Sequence, residues 1–409
     1  MWNFYSILAR VGCLGTVELA LALLLAPALL QPQTGPELLQ ETASVMQTGA
    51  QPLLDREGAC LAWRTADNVF VTDAMARQGA AIAGSPLKAI VSSNGARFAI
   101  LEKTDEKQEA TLRLRWFDRN GRPRGSHVRD WHGDQPLPQF CFNEAATRLL
   151  LADAGVARLT ILNLEGEVVR EVDLFGAPRY FNERPLFIAA GGEEFFVLSQ
   201  ALPSAGQLPV NPVLLRLSAQ GEEIWRRELT QHTGGGIAVS PEGRWILAGS
   251  YAVASPQSSV RSELQLFDGS GNEHFAREGL FRHGVFTQNG DRVLIVDRRQ
   301  VRLLRVPGGE VVWENSLSSR AEMFAAAAAD ANGENIFALI ATSAFKDSRF
   351  VYENARLVRF DSGGKPQQAA TISSDLIEPV LAVALDGGRL ALAAEGRLRC
   401  YAIRHAKSE

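Results

Sequence analysis

The 409-residue chain is poor in the residues that usually announce chemistry: four cysteines, four methionines, five tyrosines and six histidines. No two cysteines adjoin and no Cys-x-x-Cys occurs, so neither zinc-type nor redox-type spacing is present. Basic charge is also in short supply. Lys and Arg number 42 against 46 Asp and Glu, a net charge of -4, which gives no electrostatic footprint for nucleic acid. Gly234-Gly235-Gly236 lacks the lysine and the strand-to-helix setting of a phosphate loop. No Gly-x-Ser-x-Gly elbow surrounds Ser240. The densest polar run, His127 to Asp134 (HVRDWHGD), has two histidines and two aspartates at a spacing that matches no metal-site pattern. No catalytic residue, metal ligand or cofactor is assigned from these patterns.

The N-terminus stands apart. Arg10 supplies a positive start, Leu19 to Leu30 is an apolar run of signal-peptide length, and Ala26-Pro27-Ala28 offers small residues at cleavage spacing. Counted from Val11 to Leu30, the same segment is long enough to anchor in a bilayer, with Glu18 as a costly interruption. Residues 1–31 are therefore expected to be a signal peptide or a membrane anchor. The protein is expected to be exported, periplasmic or extracytoplasmic, and tethered if 11–30 is retained. Residues 32–58 read as a linker, with Pro36 placed to open a helix over 36–47. Cys60, Cys141 and Cys400 lie outside this region, an odd number for an exported chain.

What the rest of the chain has in abundance is a repeat. Gly234 to Leu280 contains an apolar run ending at Ser240, a Pro241-Glu242-Gly243 turn, a second run from Trp245, an alternating strand Leu264 to Phe267, and a Gly turn before a weaker last strand. That is four short strands per unit. Turns of the same kind recur at Asn94-Gly95, Asn143-Glu144, Gly191-Gly192, Asn289-Gly290, Asn332-Gly333 and Asp386-Gly387. Their spacing is that of propeller blades, and type I′ hairpins with both central residues at positive φ are expected there. First strands rich in Ala, Gly and Val (Ile237 to Val239, Ala325 to Ala329, Leu381 to Ala384) suit the crowded centre of a ring.

Gly221-Glu222-Glu223-Ile224-Trp225 and Gly309-Glu310-Val311-Val312-Trp313 resemble the Gly-x-x-x-Trp endings of pyrroloquinoline-quinone-type propeller repeats. Val239 to Arg244 resembles the Ser-Pro-Asp-Gly turn of WD-repeat propellers. The resemblance covers residues 59–405 and implies fold. Quinoprotein dehydrogenases of the first kind place adjacent cysteines under the cofactor; their absence here argues against a quinone.

The expected architecture is all-β: a single β-propeller of four-stranded antiparallel blades over 59–405, with 406–409 as a tail. Seven blades are preferred if Ala80 to Ala83 completes the last blade, and eight result if the N-terminal hairpin starts its own. Cys60 and Cys400 would then lie near the seam, and a disulfide between them is a possible clasp.

Alternating strands put b–c and d–a connections on one face. The long b–c connections are Lys103 to Ala110, Ala201 to Pro212, Tyr251 to Ser262 and Ala344 to Asn354. The d–a segments add Trp131, His132, Arg179, Tyr180, Phe181, His232, Arg282 and His283, residue types common in interface anchors. This face is the candidate binding site. Two functions are open: a non-enzymatic scaffold that binds a protein or other macromolecule, or a hydrolase, lyase or oxidoreductase with its site at the channel mouth.

Overall fold

The computed structural model describes residues 38–45, 51–54, 60–64, 68–73, 80–83, 86–106, 109–131, 136–154, 156–174, 186–200, 211–253, 260–279, 283–346, 349–372, 375–377, 379–384, 387–394 and 397–403. In the first five strands it describes the backbone and the side chain of Ile82. Every regular element among the described residues is a strand.

The strands form eight four-stranded antiparallel sheets. Taken from the inner strand a to the outer strand d, blade 1 is Gln51–Leu54, Cys60–Arg64, Asn68–Asp73 and Ala80–Ala83, and blade 2 is Pro86–Val91, Arg97–Glu106, Glu109–Asp118 and Pro123–Asp130. Blade 3 is Gln139–Phe142, Leu149–Asp153, Arg158–Leu162 and Val168–Asp173, and blade 4 is Phe187–Gly191, Glu194–Ser199, Val213–Leu217 and Glu223–Glu228. Blade 5 is Thr233–Val239, Trp245–Val253, Val260–Asp268 and Glu273–Glu278, and blade 6 is His283–Phe286, Arg292–Val296, Gln300–Arg305 and Val311–Ser316. Blade 7 is Glu322–Ala329, Ile336–Lys346, Arg349–Phe360 and Pro366–Thr371. Blade 8 takes Val380–Val383, Arg389–Ala394 and Arg397–Ile403 from the C-terminal end and its d strand, Leu38–Val45, from the N-terminal end.

The blade count therefore resolves to eight. Ala80–Ala83 pairs within the N-terminal sheet, and Leu38–Val45 closes blade 8 in register with Arg397–Ile403. The stretch read as a linker with a helix over 36–47 thus supplies two strands, Leu38–Val45 and Gln51–Leu54. The helix reading failed because an open strand edge was waiting: cross-strand pairing outweighs the weak local preference of a short polar segment. The inner strand of blade 1 packs beside that of blade 8, so the ring closes.

The core lies between the blades. Alternate residues of one strand face opposite sides. Leu149 and Leu151 pack with blade 2 residues Leu101, Leu112 and Trp116, whereas Leu150 and Ala152 pack with blade 4 residues Phe195 and Val197. The same sharing joins blades 4 and 5, 5 and 6, 6 and 7, and 7 and 8.

A second device locks neighbouring blades together at the c–d turns. Asp118, Asn163, Ser218, Asp268 and Asp361 each accept backbone N–H bonds two and four residues on. Each is followed by a glycine with positive φ, at Gly121, Gly166, Gly221, Gly271 and Gly364. Gly271 lies against Trp225 and Gly364 against Trp313, both on the d strand of the preceding blade. Trp225 Nε1 donates to Gly269 O at 2.9 Å, and Trp116 Nε1 donates to Leu164 O at 2.8 Å. The Gly-x-x-x-Trp pattern is thus an inter-blade docking motif.

The a–b turns differ from expectation in detail. At Ser92 to Gly95 the Gly95 N–H closes on Ser92 O at 2.9 Å, and of the Asn94-Gly95 pair only Gly95 has positive φ. Asn94 instead uses its side chain, accepting from Ala96 N at 3.0 Å. The turn is a type I turn followed by a left-handed glycine, an alternative hairpin solution to type I′.

Candidate functional site

Strand a runs from the d–a connection down to the a–b turn, so b–c and d–a connections share one face, called the upper face below. Three b–c hairpins rise beyond their sheets there. In blade 2 the inner strand stops pairing at Glu102, yet strands b and c stay in register to Glu106 and Glu109. In blade 7 the inner strand stops at Thr342, and the hairpin continues to the pair Lys346 and Arg349. Each extension is four residues per strand, an overhang of about 13 Å at strand rise. In blade 5, Trp245–Val253 and Val260–Asp268 pair to Val253 and Val260. Blades 3 and 6 have short connections, their b–c pairs ending at Asp153–Arg158 and Val296–Val301.

The connections at 103–110 and 344–354, read from sequence as loops, are thus mostly ordered strand. Thr104 and Thr111 bond across the hairpin at 2.6 Å, and Phe345, Phe350, Val351 and Tyr352 are strong strand formers. Residues 201–210 and 254–259 lie outside the described residues.

Of the eight d–a candidates, Trp131, His232 and His283 are described; His132, Arg179, Tyr180, Phe181 and Arg282 lie outside the described residues. Trp131 is half-buried and packs against the core shared by blades 2 and 3, a structural anchor for its connection. His232 is exposed, with Nδ1 2.9 Å from Asn211 Oδ1. Its carbonyl accepts from Gln200 Nε2, and Gln200 Oε1 accepts from Gly234 N at 3.3 Å. The buried Gln200 thereby pins the start of blade 5 to the upper end of blade 4. His283, also exposed, opens the inner strand of blade 6. Trp131, His232 and His283 lie at the d–a connections of three different blades.

A cleft of about 300 Å³ runs down the channel wall of blades 5 to 8. His283 lines its upper end and Gln288 and Asp330 its lower end, with Val239, Val285, Ala327 to Ala329 and Leu381 to Val383 between. Asp330 is engaged, accepting from Asn335 Nδ2 at 2.6 Å and from Glu334 N at 2.9 Å. On the other side of the channel, Lys88 lies with Nζ 5.6 Å from the centre of the Phe140 ring, and burial lowers its pKa. Burial also pushes the neighbouring Cys141 thiol up to about 12, only partly offset by Lys88. Among the described residues, no group of three or more His, Cys, Asp or Glu stands together as metal ligands. The wall is built largely of small side chains and carries few ionisable groups.

The most exposed aromatics among the described residues lie within the 344–354 connection of the upper face and are not among the singled-out candidates. Phe345 and Phe350, at the blade 7 hairpin tip, are 66% and 67% exposed. The signal was available: two phenylalanines flanking a polar Lys-Asp-Ser-Arg turn.

No protein-family model matches the sequence, and no curated protein matches it. Solved structures do match in fold. The C-terminal WD40 domain of Sif2 superposes with a TM-score of 0.59 at 12% identity, covering 90% of this chain and 99% of that one. BamB from Moraxella catarrhalis gives 0.57 at 14% identity, covering 90% and 100%. The Dos1 propeller gives 0.60 at 8% identity, covering 89% and 95%. At these identities the likeness is one of fold: the chain resembles WD-repeat and BamB-type β-propellers in architecture.

Proposed function

We propose that the chain is a non-enzymatic scaffold that binds a protein or other macromolecule through its upper face. The observation that carries this reading is the concentration of overhanging b–c hairpins on that face, above a channel wall of Ala, Gly and Val. Repeat proteins collect insertions on their binding side. An enzyme at the channel mouth would need converging ionisable groups, and His283, Lys88 and Asp330 are instead spread around and along the channel. Export, with residues 11–30 as cleaved signal or retained anchor, belongs to the same reading and rests on the N-terminal sequence pattern.

The test replaces each long b–c connection in turn with Asn-Gly in the full chain: 103–110, 201–212, 251–262 and 344–354. Affinity capture from the native membrane and soluble fractions, with the bound protein identified, should show loss on at least one replacement. A partner retained by all four variants overturns the upper-face reading.

A further inference from the structure

The blade 7 hairpin carries an aromatic pair that nothing in the fold requires. Phe345 and Phe350 are directly opposed across the hairpin, with ring centroids 5.2 Å apart at 68°. The other large hydrophobics exposed among the described residues reach at most 47%. An edge-to-face pair two-thirds in water leaves most of its apolar area unburied.

The hairpin beneath the rings is braced. Tyr352 and Leu376 exchange two backbone hydrogen bonds of 2.8 and 2.9 Å, which adds a short flanking segment to strand c. On the opposite hairpin face from the rings, Lys346 Nζ pairs with Glu353 and, at 3.1 Å, with Asp375. Val351, on that same face, is 5% exposed. One face is therefore packed and ion-paired while the other holds two rings in a fixed geometry. Such a tip has little conformational entropy left to lose on docking.

The charge around the tip chooses the occupant. Around the tip, one cation (Lys346) stands against two carboxylates (Glu353 and Asp375), a net of -1, and in sequence Asp347 and Arg349 cancel. Anionic lipid headgroups would be repelled.

We infer that Phe345 and Phe350 are the apolar anchor by which this chain grips a protein partner presenting an apolar cleft with basic side chains at its border. The inference rests on the upper-face reading and specifies its central contact. Aromatic residues fixed at a protrusion and fully desolvated on docking are the usual hot spots of interfaces.

The experiment uses the full chain, a Phe345→Ser/Phe350→Ser variant and a Val311→Ser/Val312→Ser control on the exposed outer strand of blade 6. The protein captured by the parent is identified, purified and titrated against all three by calorimetry. Vesicles of phosphatidylcholine with phosphatidylglycerol are sedimented with each, and sedimentation velocity follows self-association. The expected result is affinity at least ~100-fold weaker for the Phe variant, unchanged for the control, and weakened by salt for the parent. Circular dichroism must show the same strand content. Unchanged affinity in the Phe variant overturns the aromatic anchor; if shortening 103–110, 201–212 or 251–262 still abolishes binding, the upper-face reading stands. Loss by none of the variants overturns both, as does failure to capture any partner. Phe-dependent vesicle binding or self-association would assign the tip to a bilayer or a second copy and overturn the proposal.

Discussion

Adjacent glycines in the blade 7 c–d turn should respond to alanine in opposite ways. Gly364 has φ of +78°, and a Cβ there would sit 2.5 Å from Trp313 Cδ2 and 2.6 Å from Cγ. Gly363 has no such φ, and the nearest atom to its Cβ would be Asp361 Oδ1 at 3.5 Å. Alanine at a left-handed position costs about 1–2 kcal/mol, and forcing a methyl into a packed indole adds about 1–3 kcal/mol. Gly364→Ala should therefore lose roughly 2–5 kcal/mol, and Gly363→Ala should stay within about 0.5 kcal/mol. If the ring unfolds as one unit, unfolding entropy scaled to its size turns that loss into a melting-point drop of roughly 3–6 °C. Paired thermal and urea unfolding of the two variants is the assay. Equal effects at both positions would refute the claim that this turn interlocks blades 6 and 7 through Trp313.

Further expectations follow from the same geometry. Trp225 donates to Gly269 O, whereas Trp313 Nε1 is buried without a hydrogen-bond partner among the described residues, so Trp225→Phe should cost about 1 kcal/mol more than Trp313→Phe in urea unfolding. Burial alone would raise the Asp268 pKa, but bonds from the Asn272 side chain and backbone, His274 and Ser270 hold it near 2, below its ordinary 3.8. A depressed folded pKa adds stability above the unfolded value that disappears as pH falls from about 4 toward 2. Asp268→Asn should make stability less steep across that acid range, and an unchanged acid profile would count against the bonding. Cys141, with its thiol raised to about 12 by burial, should be alkylated at pH 8 far more slowly in the native chain than in urea, as mass spectrometry can follow. Cys60 and Cys400 lie on blades 1 and 8, which flank the ring seam. The proposed bridge, with a stabilisation up to roughly 3–5 kcal/mol, predicts a linked peptide in non-reducing digests, and its absence refutes the pair.

The repeat was legible in sequence because each blade spells out its turns. Gly95, Gly192, Gly243, Gly290, Gly333 and Gly387 all adopt positive φ at or beside the expected hairpin turns. The Ala-rich first strands did lie innermost. Ring closure was harder to read. Leu38 to Val45 carries no turn landmark and little alternation, and its strand conformation comes from the open edge of Arg397–Ile403. Local sequence cannot encode a partner some 360 residues away. The candidate site was legible as a face rather than as residues. Counting b–c lengths identified the long connections, but a helix-free length count cannot tell a loop from an overhanging hairpin. Trp131, named from its residue type alone, is half-buried against the core shared by blades 2 and 3, a contact no local sequence signal announces. Phe345 and Phe350 went unnoticed because alternation places them on a strand face that sequence alone assigns to no neighbour.

The central claim, binding on the upper face, is tested most directly by hydrogen exchange of the full chain with and without its captured partner. The account predicts new protection in the overhanging hairpins, above all at Phe345 to Phe350 and Thr104 to Thr111, with the a–b turns at Gly95, Gly290 and Gly333 unchanged. Protection confined to those turns or to the outer strands would contradict it.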